Sequence, residues 1–216
     1  MNIKYLGHSA FLISSDKGIK IITDPYKTGP DLTYGEITES ADIVTVSHGH
    51  LDHAYVAGVK GNPVVIRRVG RSTAKGIEFN GIASYHDEAK GQFRGNNTIF
   101  CFEVDGMGVC HLGDLGHVLE EKQVSEIGSV DILIIPVGGY FTIDAKAATK
   151  ICDQLKPRVI IPMHYKTEKS IPMPISRVDE FLHGKANVTR RDTSQAEFKS
   201  GELPATSQII VLKPAL

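Results

Sequence analysis

Short runs of apolar and β-branched residues, each cut off by Gly, Pro or Asp, constrain this chain more than any other feature of its sequence. Phe11 to Ile13, Ile19 to Ile22, Ile43 to Val46 and Val64 to Ile66 occupy the first half. Ile99 to Val104, Val109 to Leu112, Ile132 to Val137, Val159 to Ile161 and Ile209 to Leu212 continue the pattern. A helix needs roughly ten or more residues of apolar periodicity, and these runs stop well short of that, so they read as strands. The clearest helix follows Asp144, an N-cap residue, and lines up Ala148, Ile151, Cys152 and Leu155 before Pro157 ends it. Two shorter apolar stripes, Leu119, Val124 and Ile127 closing at Gly128 and Val178, Phe181 and Leu182 closing at Gly184, read as further helices. Strands with interspersed helices and no low-complexity linker predict a layered α/β arrangement in one domain spanning residues 1–216.

The chemistry sits where the strands stop. Ser47-His48-Gly49-His50-Leu51-Asp52-His53 follows the run Ile43 to Val46 and packs three imidazoles and a carboxylate into one turn. Neutral imidazole and carboxylate are ligands for zinc and similar divalent ions, and an irregular turn can aim close-spaced side chains at two different centres. Gly49 is expected to supply the unusual dihedrals that such a turn needs. His86 closes Ile82 to Tyr85, Asp114 closes Val109 to Gly113, and His164 closes Val159 to Met163. Ligand sites in sheet-based α/β proteins gather at strand carboxyl ends, so donors far apart in sequence are placed to meet.

Composition narrows the partners. The 24 Lys and Arg against 25 Asp and Glu leave no global basic excess for nucleic acid or an anionic membrane. Cys101, Cys110 and Cys152 form no CxxC pair and an odd set, which points away from a disulfide framework or thiolate zinc site and toward a reducing cytoplasm. The N-terminus lacks the features of a signal peptide, and the longest apolar run, Ile132 to Val137, is far below the roughly 20 residues of a membrane span. A soluble cytoplasmic protein acting on a small molecule is the expectation, with a homo-oligomer left open.

The HxHxDH segment, His86, Gly113-Asp114 and His164 together resemble the metallo-β-lactamase fold hydrolases. Gly7-His8-Ser9, Thr23-Asp24-Pro25, His111-Leu112-Gly113-Asp114 and Ile135 to Gly139 are similar in particular to the compact cytoplasmic branch related to ascorbate-6-phosphate lactonase. The resemblance implies a four-layer αββα sandwich with a site at one edge between the sheets. It implies that His48, His50 and His86 hold one divalent ion, that Asp52, His53 and His164 hold a second, and that Asp114 bridges them. Zinc is the expected metal, with manganese, iron and nickel compatible with the same donors. Cysteine at position 114 would have resembled true β-lactamases, and glutamate at position 50 the flavodiiron oxidases; neither is present.

The expected reaction is hydrolysis by a water that the two metals activate, with Asp52 and Asp114 as the catalytic carboxylates and no serine or cysteine nucleophile. A small anionic ester, lactone or related acyl compound is the expected substrate class, on the resemblance alone. Phosphodiester cleavage, as in the nucleases of the same superfamily, and a non-catalytic metal-binding protein are the competing readings. Asp24 is a candidate to fix a ligand imidazole through its free N–H, and His8 and His117 are neighbours of the motifs with an even claim on the site. Lys166, with Lys169, is expected at the rim of the metal pocket to meet an anion. His111 reads as a packed residue, His183 as a partner of a helix dipole, and Arg67, Arg68 and Arg71 as a solvated charged face.

Overall fold

The computed structural model describes the whole chain, Met1–Leu216. A first, six-stranded sheet is built from β1 (Asn2–Gly7), β2 (Ala10–Ser14), β3 (Lys20–Thr23), β4 (Ile43–Thr45) and β5 (Val64–Ile66), closed at its other edge by the late strand Gln195–Glu197. The chain then enters a second, eight-stranded sheet with β6 (Gly70–Ala74), β7 (Ile77–Tyr85), β8 (Asn96–Val104) and β9 (Met107–His111). Helix α1 (Glu121–Ile127) leads to β10 (Ile132–Pro136), and α2 (Ala145–Leu155) leads to β11 (Val159–Met163). Helix α3 (Val178–Leu182), β12 (Val188–Arg190), β13 (Gln195–Glu197) and β14 (Gln208–Val211) complete it. No helix is long and apolar enough to cross a membrane.

Alternation along the strands explains why two sheets must stack. In the first sheet Tyr5, Ile21 and Ile43 join the main core, while their neighbours Leu6, Ile22 and Val44 join a smaller cluster on the opposite face. Side chains on a strand point alternately to the two faces, so this sheet is apolar on both. Tyr26, Leu32, Tyr34, Ile37 and Val59 cover that second face, so the outer layer here is irregular chain with one short helical turn at Val56–Gly58. The three α-helices bury their apolar stripes in the main core, which the eight-stranded sheet shares. The α/β sandwich anticipated from the sequence is therefore present, with an outer layer on one side made mostly of loops.

Helix ends follow their sequence signals. Asp144 accepts the Ala147 N–H at 2.8 Å as the N-cap of α2, and Gly128 closes α1 in the left-handed region. Strands β9, β10 and β11 run parallel, with Ile134 opposite His111 on one side and Ile161 on the other, so their carboxyl ends lie along one edge. Both faces of β10 and β11 are buried, as expected for parallel strands covered by helices.

Candidate metal centre

Four chain segments leave their sheets at this edge. From the first sheet, β4 ends at Thr45 and runs into Ser47 to His53; from the second, β7, β9 and β11 run into His86, Asp114 and His164. One hydrogen bond ties the sheets together here, from Thr98 N–H to Ser47 C=O at 2.9 Å, and within the second sheet Asp114 N–H donates to Asn97 Oδ1 at 2.9 Å. Gly113 has φ of +56°, and a Cβ there would collide with Asn97 and Ser47, so the residue before Asp114 must be glycine for the sheets to close. Left-handed backbone also occurs at His8, Asp24 and His164, with φ of 54°, 38° and 50°. Such strain in non-glycine residues concentrates at functional sites.

The side chains converge on one carboxylate oxygen. Asp114 Oδ2 lies 3.1 Å from His53 Nε2, 3.3 Å from His86 Nε2, 3.4 Å from His164 Nε2 and 3.9 Å from His48 Nε2. The donor atoms form one group of His48, His50 and His86 and a second of His8, Asp52, His53 and His164, with Asp24, His48 and His53 a third that overlaps both. Asp24 is buried beneath them: its Oδ2 accepts from His53 Nδ1–H at 3.0 Å and from the Ser47 hydroxyl at 2.5 Å, while Oδ1 accepts the Ser47 N–H at 2.8 Å. His8 Nε2–H donates to Asp52 Oδ2 at 3.3 Å.

Burial and charge act against each other in this cluster. Burial pushes His8 down to about 4 and His48 down to about 3, so both are neutral imidazoles at pH 7. Burial also lowers His86. His53 behaves oppositely: burial disfavours its charge, but Asp114, Asp24 and Asp52 outweigh that and raise it well above the ordinary range. Burial would likewise raise Asp114, yet His164 and His53 hold it far below an ordinary carboxyl. Three anions facing this set thus favour positive charge at its centre.

A divalent cation fits that demand. His53 Nε2 and Asp114 Oδ1 are buried without a hydrogen-bond partner, and His53 Nε2 approaches Asp114 Oδ2 at 3.1 Å without hydrogen-bond geometry. Each orphaned buried polar atom costs about 1–3 kcal/mol. An unpartnered imidazole nitrogen facing a carboxylate, with further imidazole nitrogens converging on the same oxygen, is the pattern that metal coordination relieves. The two donor groups are consistent with a binuclear site.

Residues 2–164 match the family described as beta-lactamase superfamily domain. The chain belongs to the metallo-β-lactamase superfamily of metal-dependent hydrolases. A UPF0173 metal-dependent hydrolase of Carboxydothermus hydrogenoformans is 35% identical over 77% of this chain and 85% of its own length. Another of that description, from Pelotomaculum thermopropionicum, is 30% identical over 99% of this chain and 97% of its own length. A solved structure from Thermotoga maritima, described as a candidate zinc-dependent hydrolase of the superfamily, shares 39% identity. It superposes with a TM-score of 0.79 across 98% of this chain and 97% of that one.

Seen in this superfamily frame, the sequence candidates separate. His48, His50, Asp52, His53, His86, Asp114 and His164 come together, and His8 and Asp24 adjoin them. His117 does not face the cluster: its Nδ1–H donates to Val118 C=O at 2.9 Å and its Nε2 accepts the Tyr85 N–H at 3.2 Å, pinning the backbone that precedes His86. Lys166 and Lys169 line a different groove of about 670 Å³, shared with Arg177 and Arg190 and with none of the clustered donors. Neither lysine lines the cavities that touch the clustered donors, so the expected rim position is not found. Gly49 is not in the left-handed region either; His8, Asp24 and His164 carry the unusual backbone instead. His111 is buried between the Ser9 carbonyl and the Gly113 N–H, His183 is exposed at the end of α3, and Arg67, Arg68 and Arg71 are exposed.

Sequence reasoning overlooked Ser47 and Asn97. The Asn97 amide donates to Ser84 Oγ and Leu112 C=O while its oxygen holds Asp114 in place. An asparagine at the start of a strand carries no spacing signal, and only the packing of three strands reveals it.

Proposed function

We propose that the protein hydrolyses a small anionic ester, lactone or related acyl compound at a binuclear centre, with zinc as the resident metal. His48, His50 and His86 would hold one ion, Asp52, His53 and His164 the other, and Asp114 would stand between them. The convergence of four imidazole nitrogens on Asp114 Oδ2 carries this reading. Zinc is the metal in the description of the Thermotoga relative, and imidazole with carboxylate suits it.

When bound, paired divalent ions supply Lewis acidity, which lowers the pKa of water from about 15.7 toward about 7 and polarises an acyl oxygen. The chain's own residues provide order. Asp24 fixes the His53 ring, so that Nε2 presents its lone pair to the centre. His8, neutral at pH 7, orients Asp52 through a hydrogen bond and leaves the other Asp52 oxygen available to accept a proton from the attacking water. Asn97 holds the Asp114 backbone so that its carboxylate stays central.

The test is metal analysis of protein purified without chelator, followed by assays across lactones, thioesters, phosphodiesters and β-lactams with and without chelator. About two divalent ions per chain and chelator-sensitive hydrolysis independent of oxygen are expected. Fewer than one ion after reconstitution, or turnover that needs oxygen, would overturn the reading.

A further inference from the structure

The donor cluster opens onto two cavities with different chemistry. One, of about 600 Å³, is walled by the donor His86 together with Arg94, Tyr140 and Phe141. The other, of about 310 Å³, is walled by the donor Asp52 together with Leu32, Pro172, Met173 and the same Phe141. His86 belongs to one donor group and Asp52 to the other, so each cavity meets a different part of the centre, and Phe141 is their shared wall.

Arg94 is prepared for a ligand. Its guanidinium carbon lies 5.6 Å from the Phe141 ring centre and 6.0 Å from that of Tyr140, and those rings meet edge to face at 4.7 Å. No carboxylate lies within ion-pair distance of it, and none of its side-chain N–H groups is used by the protein. Its backbone is fixed on both sides. Asp87 accepts the N–H groups of Ala89, Gly91, Phe93 and Arg94 at 2.8–3.0 Å, and the N–H of the donor His86 itself bonds to Gly95 C=O at 3.0 Å. The loop is thereby braced against the donor cluster, and Arg94 sits at a set distance from it.

The acids around this cavity are accounted for. Four amides hold Asp87, the N-terminus of α2 holds Asp144, and Glu88 is exposed at the rim. A half-buried, stacked guanidinium with a free fork of donors recognises a planar carboxylate in a bidentate way. Arg94 is the one lysine or arginine lining this cavity, and its single fork of donors matches the two oxygens of a carboxylate. In the second cavity, Leu32, Pro172, Met173 and Phe141 offer contacts to an apolar group.

We propose that the substrate is a linear carboxylate-bearing ester or amide that spans the centre, its carboxylate on Arg94 and its apolar end between Leu32 and Met173. The proposal rests on the hydrolase reading and adds direction to it. Water adds across the acyl bond: its oxygen forms the new bond to the acyl carbon, the carbon–heteroatom bond breaks, and the proton goes to the departing heteroatom. The acid product keeps the Arg94 end, and the apolar alcohol or amine leaves through the Met173 side.

Equilibrium binding tests this without turnover. The probe is N-benzyl-N-hydroxysuccinamate, which carries a carboxylate, a metal-chelating hydroxamate and a benzyl group, measured by calorimetry on the metal-loaded protein beside its methyl ester and its phosphonate counterpart. The wild type is expected to prefer the carboxylate over the methyl ester by at least about tenfold. Arg94→Ala should abolish that preference, and Arg94→Lys should keep part of it; the backbone N–H that Asp87 needs survives in both. Met173→Asp should weaken the benzyl probes several-fold and leave the N-methyl analogue unchanged. Equal binding of carboxylate and methyl ester by the wild type, an undiminished preference in Arg94→Ala, or tighter binding of the phosphonate would overturn the proposal and leave the metal reading intact. Binding of none of the probes to protein that holds two ions would overturn both.

Discussion

The two sheets contribute unequally to the centre. The second sheet supplies His86, Asp114 and His164, each no more than 2% exposed, from strand ends packed on the main core. The first sheet supplies His48, His50, Asp52 and His53 from one turn, in which His53 is fully buried but His50 is exposed and the Asp52 side chain is 38% exposed. Buried donors have no water to satisfy them, so their geometry and charge are committed to a cation. Exposed donors are solvated when free, and they can exchange a ligand without leaving a buried group unpaired. The second sheet with the buried His48 and His53 side chains thus forms the fixed half of the site, and His50 and Asp52 its adjustable half.

Removing the fixed half should have the largest effect. Asp114→Asn keeps the size of the side chain but takes a negative charge from among four imidazoles. Both ions and about a thousandfold or more of hydrolysis should be lost, with the circular dichroism and thermal transition of a folded protein retained, because the core is built independently of the site. Wild-type metal stoichiometry with full turnover would remove Asp114 from its central role.

Asp24→Asn probes the support beneath His53 and Ser47. Loss of such a carboxylate costs about 10- to 100-fold in metal affinity or activity, which competition with a chromogenic chelator measures. An unchanged affinity would mean that the His53 ring needs no anchor.

His50→Ala separates the two halves. As an exposed member of the His48, His50 and His86 group, it should cost one ion per chain and leave the second bound, a stoichiometry that elemental analysis reads directly. Loss of both ions would make the adjustable half as cooperative as the fixed one and break the contrast.

The smallest effect is expected where the core carries no donors of the site. Burial pushes the Cys152 thiol up to about 12 and the Cys110 thiol above its ordinary value, so both remain protonated at pH 8. A disulfide reagent should label neither within minutes in the folded protein and both in denaturant. Rapid labelling of Cys110 would show that the fixed half opens, since its strand leads into Asp114.

Particular residues show why some of this was legible in advance. The runs at Ile43, Ile132 and Val159 identify strands because their apolar content leaves no polar face for a helix, and Asp144 and Gly128 mark helix ends through local hydrogen bonding. The strands Gly70–Ala74, Val188–Arg190 and Gln195–Glu197 escaped notice because they are short and polar, and a polar edge or outer strand reads locally as loop. The cluster of candidate donors was legible because ligation demands a few residue types in dense patterns, and the structure brings those residues together.

The sequence by itself determined the donor types, their placement at strand ends and the layered α/β class, since each depends on local pattern. Only the tertiary structure decided that Lys166 faces another groove and His117 pins backbone, that Asn97 steadies Asp114, and that Arg94 and Met173 wall two different cavities that meet the cluster. Those facts depend on how the two sheets and the left-handed turns at His8, Asp24 and His164 orient segments far apart in the chain, and no short-range pattern encodes that orientation.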